Sequence, residues 1–159
     1  MIRGKTDGIQ IENGRFFNFL GRVMEIWTDG GCLDNGSSDA VGAWAFVAED
    51  GHEESGRLER TTNNRAELIA IIRAIEYASS IGQTSVVVYT DSMLCVKCGN
   101  GLWKRKANLD LWEVFFKVRR SVKEAKLVWV KGHSGIPQNE RCDELCRMEM
   151  AGQIGRAHV

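Results

Sequence analysis

Two short apolar runs, each closed by Thr-Asp, constrain this chain more than any other feature. Val86-Val87-Val88-Tyr89 is β-branched and aromatic and reads as a buried strand, and Thr90-Asp91-Ser92 follows at once. Met93-Leu94-Cys95-Val96 then reads as the start of a helix. An acid therefore stands where a central strand hands over to a helix, the usual ligand position in an α/β sheet. Near the start, Glu25-Ile26-Trp27-Thr28 runs into Asp29-Gly30-Gly31 in the same way. The chain between the two pairs is long enough for strands and a crossover helix. Any fold for this sequence has to explain two carboxylates at the ends of two strands.

The remaining pattern supplies the scaffold. A first strand is expected over 23–28, and the Gly-, Ser- and Asn-rich stretch from Gly30 to Gly42 reads as a loop. Ala43–Ala48 is the next strand, Asp50-Gly51 a hairpin signal, and His52 to Arg60 the returning strand. Leu68, Ile71, Ile72 and Ile75 recur at helical spacing until Gly82. After the strand ending at Thr90 come a short helix from Ser92 and a break at Gly99-Asn100-Gly101. Asp110 opens a helix with Leu111, Val114, Phe115 and Val118, Leu127–Val130 is the last strand, and Glu140 to Met150 the closing helix.

The order β-β-β-α-β-α-α-β-α predicts an α/β fold with a five-stranded mixed sheet flanked by helices. A right-handed crossover lays the fourth strand beside the first and parallel to it, giving the order 3-2-1-4-5. Neighbouring strands lie about 4.8 Å apart, so Asp29 and Asp91 are expected to face each other across a gap that a divalent ion bridges.

Length and composition set the limits. The chain has 159 residues, 43% apolar and 26% charged, which fits one globular domain. We expect an amino-terminal extension over 1–23, a catalytic domain over 24–151 and a tail over 152–159. The extension contains the turn signals Asp7-Gly8 and Asn13-Gly14 and the apolar patch Phe16-Phe17 with Phe19-Leu20. The sequence leaves open whether it docks on the core. No apolar run approaches a membrane span, and the first residues lack the apolar block of a signal peptide. The odd number of cysteines, 5, agrees with a reducing compartment, so a cytoplasmic location is expected. Cys95/Cys98 and Cys142/Cys146 sit at helical spacing beside apolar residues, which favours packed thiols over a zinc site.

Formal net charge is zero, but the charges are segregated. Lys97, Lys104, Arg105 and Lys106 stand in a stretch without acids. Lys117, Arg119, Arg120, Lys123, Lys126 and Lys131 are opposed by Glu124 alone, whereas Glu49, Asp50, Glu53, Glu54 and Glu59 cluster elsewhere. Such polarity can steer a polyanion to one face. Taken singly, each run also fits a solvated surface.

Four acids are candidates for chemistry: Asp29, Glu67, Asp91 and Asp143. Each has a plain structural reading as well. Asp29-Gly30-Gly31 is an ordinary turn, Asn64-x-x-Glu67 has the form of a capping box, Asp91 can cap the helix at Ser92, and Asp143 can be a surface acid. Together they argue otherwise, because Glu67 opens the helix that connects the two sheet acids and so lies at the same end of the sheet. Clustered carboxylates repel one another unless a cation sits among them. Hard oxygen donors without His or Cys select Mg²⁺ or Mn²⁺, and the expected chemistry is in-line phosphoryl transfer between two ions about 4 Å apart.

The motifs resemble ribonuclease H of type 1. The matching stretches are Thr28–Asn35 (TDGGCLDN), Thr61–Leu68 (TTNNRAEL), Tyr89–Ser92 (YTDS) and Trp129–Leu145 (WVKGHSGIPQNERCDEL), in family order over roughly residues 24–150. The resemblance implies an endonuclease that cuts the RNA strand of an RNA/DNA hybrid and leaves 3′-hydroxyl and 5′-phosphate ends. It implies Asp29, Glu67, Asp91 and Asp143 as ligands of two Mg²⁺ ions, with Mn²⁺ as a substitute. Glu67 would also lie near the 2′-hydroxyl beside the cut, and His133 would handle protons and product release.

The resemblance also implies the substrate contacts. Asn35, Asn63 and Asn64 match positions along the hybrid's minor groove, where an amide both donates to and accepts from a 2′-hydroxyl, and Gly30 is a further expected substrate-binding position. Thr62, with Asn35, matches a grip on a DNA-strand phosphate. Trp103 matches an aromatic lining the DNA channel, with Lys104, Arg105 and Lys106 on phosphates. Three features depart from the pattern: only Trp103-Lys104-Arg105-Lys106 remains of the basic protrusion, Met93 replaces a Gln that contacts the hybrid, and the Asp34-Asn35-Gly36 loop lacks a Pro. A monomer is expected. The competing readings are a non-catalytic hybrid-binding module on the same fold and a superfamily nuclease with another nucleic-acid substrate.

Overall fold

The computed structural model describes residues 10–12, 15–18 and 21–152. The expected turn at Asp7-Gly8, the Asn13-Gly14 turn and the tail beyond Gly152 lie outside the described residues. Within the extension, β1 (Gln10–Glu12), β2 (Arg15–Asn18) and β3 (Gly21–Arg22) form a small antiparallel sheet in chain order. These strands were not expected from the sequence.

The main sheet contains β4 (Met24–Cys32), β5 (Gly42–Ala48), β6 (Glu53–Leu58), β7 (Ser85–Thr90) and β8 (Glu124–Trp129). Its order is β6-β5-β4-β7-β8, the 3-2-1-4-5 arrangement expected for five mixed strands. β4–β5 and β5–β6 are antiparallel, whereas β4–β7 and β7–β8 are parallel. The helices are α1 (Asn63–Ser80), α2 (Met93–Gly99), α3 (Leu109–Arg119) and α4 (Pro137–Met150).

Period-two alternation splits the strand side chains between two faces. On one face Ile26, Phe46, Val86, Val88 and Leu127 pack against Leu68, Ile71, Ile75, Trp112 and Phe115 of α1 and α3. Ile26, Ile71, Ile75, Val86 and Val88 are wholly excluded from solvent, and each contributes about 1.5–3 kcal/mol by leaving water. On the other face the small side chains of Ala43 and Ala45, with Val47, let α4 approach through Cys142, Leu145 and Cys146. Cys95 and Cys98 belong to the first cluster, so the two cysteine pairs lie on opposite faces of the sheet. Arg65 of α1 makes two hydrogen bonds to Asp110 of α3, at 2.9 and 2.8 Å, and joins the two helices at their amino ends.

Candidate active site

β4 carries Asp29 past the point where its parallel neighbour stops. Trp27↔Tyr89 is the last β4–β7 pair, whereas pairing with β5 continues through Asp29↔Ala45 to Cys32↔Gly42. Asp29 is thus inside a strand, not at its end, and Gly30 and Gly31 continue the strand where a loop was expected. The physical reason is a close approach that local sequence does not reveal. A Cβ on Gly30 would lie 2.4 Å from the carbonyl carbon and oxygen of Ala66. The first turn of α1 therefore lies against bare β4 backbone and brings Glu67 over Asp29.

The helix caps leave the acids available. Thr62 is the N-cap of α1, accepting from the Arg65 N–H at 3.2 Å, so the capping-box reading of Glu67 does not hold. Ser92 caps α2, accepting from the Cys95 N–H at 3.2 Å, and Asp91 does not take that role. From β8, the Trp129 indole N–H donates to the Asp91 carbonyl at 3.2 Å. Gly132 leaves room for the Asp91 carboxylate, since a Cβ there would lie 2.8 Å from Oδ2.

One ligand oxygen from each of Asp29, Glu67 and Asp91 lies within 4.8 Å of the others, and the ligand atoms of His133, Glu140 and Asp143 form a second such group. Both groups line one pocket of about 170 Å³, together with Gly30, Asn139 and Cys146. The structure therefore brings all four expected acids, His133 and Gly30 together. His133 adopts φ 54°, a left-handed conformation uncommon outside glycine that Asn, Asp and His enter more readily than other residues. That conformation turns the loop back toward Asp143.

The electrostatics are those of a strongly anionic pocket. Burial pushes the Asp29 carboxyl up to about 7, with the Asp91 and Asp143 charges adding to it. The Gly30 N–H, which donates to Asp29 Oδ1 at 2.9 Å, and His133 oppose that rise. Glu67 is driven well above the carboxylate range, first by burial and then by the charges of Asp29 and Asp91. Among the described residues no Lys or Arg lines the pocket. Arg147 pairs with Asp143 Oδ2 at 3.1 Å, but from a largely exposed position where such pairs contribute little. Three or four carboxylates held together in this way fit divalent cations, whose hard oxygen preference matches the donor set. The Cys142 and Cys146 thiols, which contact the carbonyls of Trp27 and Asp29, are raised by burial and are not nucleophiles.

The expected substrate residues fall into two places. The Asn35 side-chain oxygen accepts the Asn63 N–H at 3.1 Å, and the Asn63 side-chain oxygen accepts the Cys32 N–H at 2.8 Å. These bonds fix the β4–β5 loop against the start of α1, with the Thr62 hydroxyl engaged in capping. Asn64, Trp103, Lys104, Arg105 and Lys106 line a separate, larger pocket of about 550 Å³, with apolar walls from Leu94, Leu102 and Trp112. The Arg105 guanidinium stacks over Phe116 at 4.4 Å.

Three residues near these pockets were not anticipated. Glu140 stands three residues before Asp143 on α4, and that helical spacing was the available signal. Asn139 is buried beside it. Asn108 adopts a left-handed conformation, accepts from Arg65 at 3.3 Å and lines the larger pocket together with Asn64, with nothing in the local sequence to announce it.

Comparison with known proteins identifies the family and the fold. The RNase H family model matches residues 21–151. A Ribonuclease H of Campylobacter jejuni is 40% identical over 144 residues, covering 84% of this chain and 94% of that protein. A Ribonuclease H of a Cyanothece species is 36% identical over 151 residues, covering 82% and 91%. Among solved structures, LC11-RNase H1 in complex with RNA/DNA hybrid superposes with a TM-score of 0.70 at 27% identity, covering 81% of this chain and 97% of that one. RNase H1 from the archaeon Halobacterium salinarum gives 0.65 at 27% identity, covering 81% and 98%.

Proposed function

The chain belongs to the RNase H family, and from that premise we propose that Asp29, Glu67, Asp91 and Asp143 are the groups with which it cuts the RNA strand of RNA/DNA hybrids. The observation that carries this assignment is the meeting of four acids, from β4, α1, the end of β7 and α4, in one pocket that no described Lys or Arg lines. The enzyme is a divalent-metal-dependent endoribonuclease. The metal is proposed to be Mg²⁺ as a pair of ions, with Mn²⁺ as a substitute. When bound, these ions supply Lewis acidity at the attacking and leaving oxygens of an in-line displacement.

The chain's own groups do the rest. Hydrolysis adds water across the P–O3′ bond, so the departing O3′ must gain a proton. His133, on a loop at the rim of the pocket, is the group proposed to exchange protons there. Buried Glu67 accepts a hydrogen bond from the 2′-hydroxyl of the nucleotide beside the cut, which only RNA carries. Asn35, Asn63 and Asn64 read further 2′-hydroxyls along the minor groove, beside Gly30, whose missing side chain leaves room for the backbone. Thr62 holds a DNA-strand phosphate, while Trp103 stacks on the DNA sugar face flanked by Lys104, Arg105 and Lys106.

We place the catalytic domain at 24–151, with the extension over 1–23 and a tail over 152–159. The protein is proposed to act as a cytoplasmic monomer. Among the described residues no helix is long and apolar enough to cross a membrane. The test is a substrate panel of RNA/DNA hybrid, duplex DNA, duplex RNA and single-stranded RNA, with and without chelator. Metal-dependent cleavage of the hybrid alone, lost by several orders of magnitude in Asp91→Asn with folding unchanged, is expected. Near-normal turnover by that variant would refute the assignment.

A further inference from the structure

The basic segment 103–107 is held in place from outside. It belongs to no helix or strand, and among the described residues the backbone amides of Lys104, Arg105, Lys106 and Ala107 find no carbonyl partner. Its amino end is tied to α2, where the Leu102 and Trp103 N–H groups donate to the Lys97 carbonyl at 2.8 and 3.1 Å. In the middle, Arg105 lies over the Phe116 ring of α3. The carboxyl end runs into Asn108, the N-cap of α3, and there ordinary capping is given up. An N-cap Asn usually accepts one of the helix's own first amides from an extended conformation. Asn108 is left-handed instead, at φ 55° and ψ 38°, and makes no side-chain cap. Its side-chain oxygen accepts from Arg65 Nη1 at 3.3 Å, and the same guanidinium grips both carboxylate oxygens of Asp110 at 2.9 and 2.8 Å.

We propose that Arg65 is a positioning residue for hybrid binding: by clamping Asn108 and Asp110 it holds the cations of 104–106 at a set place beside the first turn of α1. The role rests on the phosphate contacts proposed for Lys104, Arg105 and Lys106. Arg65 stands between the two pockets. Asn64, one residue before it, lines the larger pocket with Trp103 and the three cations, and Glu67, two residues after it, lines the acidic one. A fixed distance from α1 to the basic segment therefore sets where the DNA strand lies relative to the acids. A guanidinium suits this task, because its planar fork grips a carboxylate through two parallel bonds and keeps a further donor for Asn108. Three of its N–H donors are spent at the start of α3, so Arg65 acts on the hybrid through the segment. The hydrogen bond from Arg65 holds the Asp110 carboxyl down at about 2, so both partners stay charged at neutral pH. The pair is partly exposed, and such pairs contribute little to stability. Its effect lies in placement.

Hybrid cleavage and hybrid binding across a salt series test this in the full chain, at a temperature where circular dichroism shows each variant folded. Arg65→Ala is expected to raise KM several-fold, leave kcat nearly unchanged and flatten the log–log salt slope of binding by about 1 unit or more. Arg65→Ala with Asp110→Ala keeps the parent's net charge and is expected to show the same loss. Parent-like KM and slope in that variant reduce Arg65 to a neutralising charge and overturn the proposal. Added to the variant with Lys104, Arg105 and Lys106 changed to Ala, Arg65→Ala is expected to raise KM little further, because it acts through those side chains. Fully additive losses mean an independent contact and refute positioning. A triple variant with an unchanged slope removes the phosphate reading, and this role falls with it. A flattened slope in the triple variant beside a parent-like Arg65→Ala refutes the positioning role alone. Asn108→Gly gives an independent answer should the Arg65 variants fail to fold, since Gly keeps the left-handed turn and drops the acceptor. It is expected to raise KM and flatten the slope, and an unchanged KM overturns the proposal.

Discussion

Replacing Asp29 by Asn should make the metal-free protein more stable while abolishing its activity. The carboxyl rises from 3.8 to about 7 in the folded chain, chiefly because it is buried and secondly because Asp91 is charged beside it. Between those two values the folded chain holds a proton that the unfolded chain has released. Stability therefore falls as pH rises from about 4 to about 7 and then levels off. A shift of about 3 units corresponds to about 4 kcal/mol at 1.36 kcal/mol per unit. Relaxation of the pocket and its neighbours lowers what is realised, to between about 1 and 4 kcal/mol. The neutral amide removes that cost and keeps an oxygen for the Gly30 N–H, now at 2.9 Å. For a chain of this length the gain corresponds to a rise of about 3–12 °C in the unfolding midpoint at pH 8. Thermal unfolding in chelator, at half-unit steps from pH 4 to 8, measures it. The parent should lose stability over that window, the Asp29→Asn variant should lose less, and the two should converge at pH 4. Mg²⁺ should then raise the parent's midpoint far more than the variant's. A variant no more stable than the parent at pH 8 in chelator would refute the claim that uncompensated carboxylate charge burdens this pocket.

Gly30→Ala should cost at least about 1–3 kcal/mol and also depress kcat, because α1 has to move away from β4 and takes Glu67 with it. Denaturant unfolding and single-turnover cleavage check both effects, and a variant with normal stability would contradict the close approach. His133→Ala should slow turnover less than Asp91→Asn does, since it removes the proposed proton carrier and leaves the carboxylates in place. Parallel rate measurements at saturating metal decide. Changing Lys104, Arg105 and Lys106 together to Ala should raise KM, leave kcat nearly intact and flatten the salt dependence of hybrid binding by about 2–3 units of log–log slope. An unchanged slope would remove these side chains from the phosphate backbone.

The parts of this fold that local patterns specify are those the sequence made legible. Period-two strands, the helical stripe of Leu68, Ile71, Ile72 and Ile75, and the handedness of the crossover suffice for the order β6-β5-β4-β7-β8 and for the meeting of Asp29 with Asp91. What escaped the sequence depends on contacts between distant segments. Gly30 looks like a turn residue until Ala66 is found against it, and only then does Asp29 belong inside a strand. Glu140 and Asp143 share α4 at helical spacing, but that His133 joins them depends on the path of the loop before the helix, which local sequence does not specify. β1, β2 and β3 are 3, 4 and 2 residues long, too short for a periodic signal. The four candidate acids stand in motifs of distinctive composition, which a sequence displays. The groups that hold those acids in place are backbone without a side chain at Gly30 and Gly132 and an indole from the neighbouring strand at Trp129, which a sequence does not.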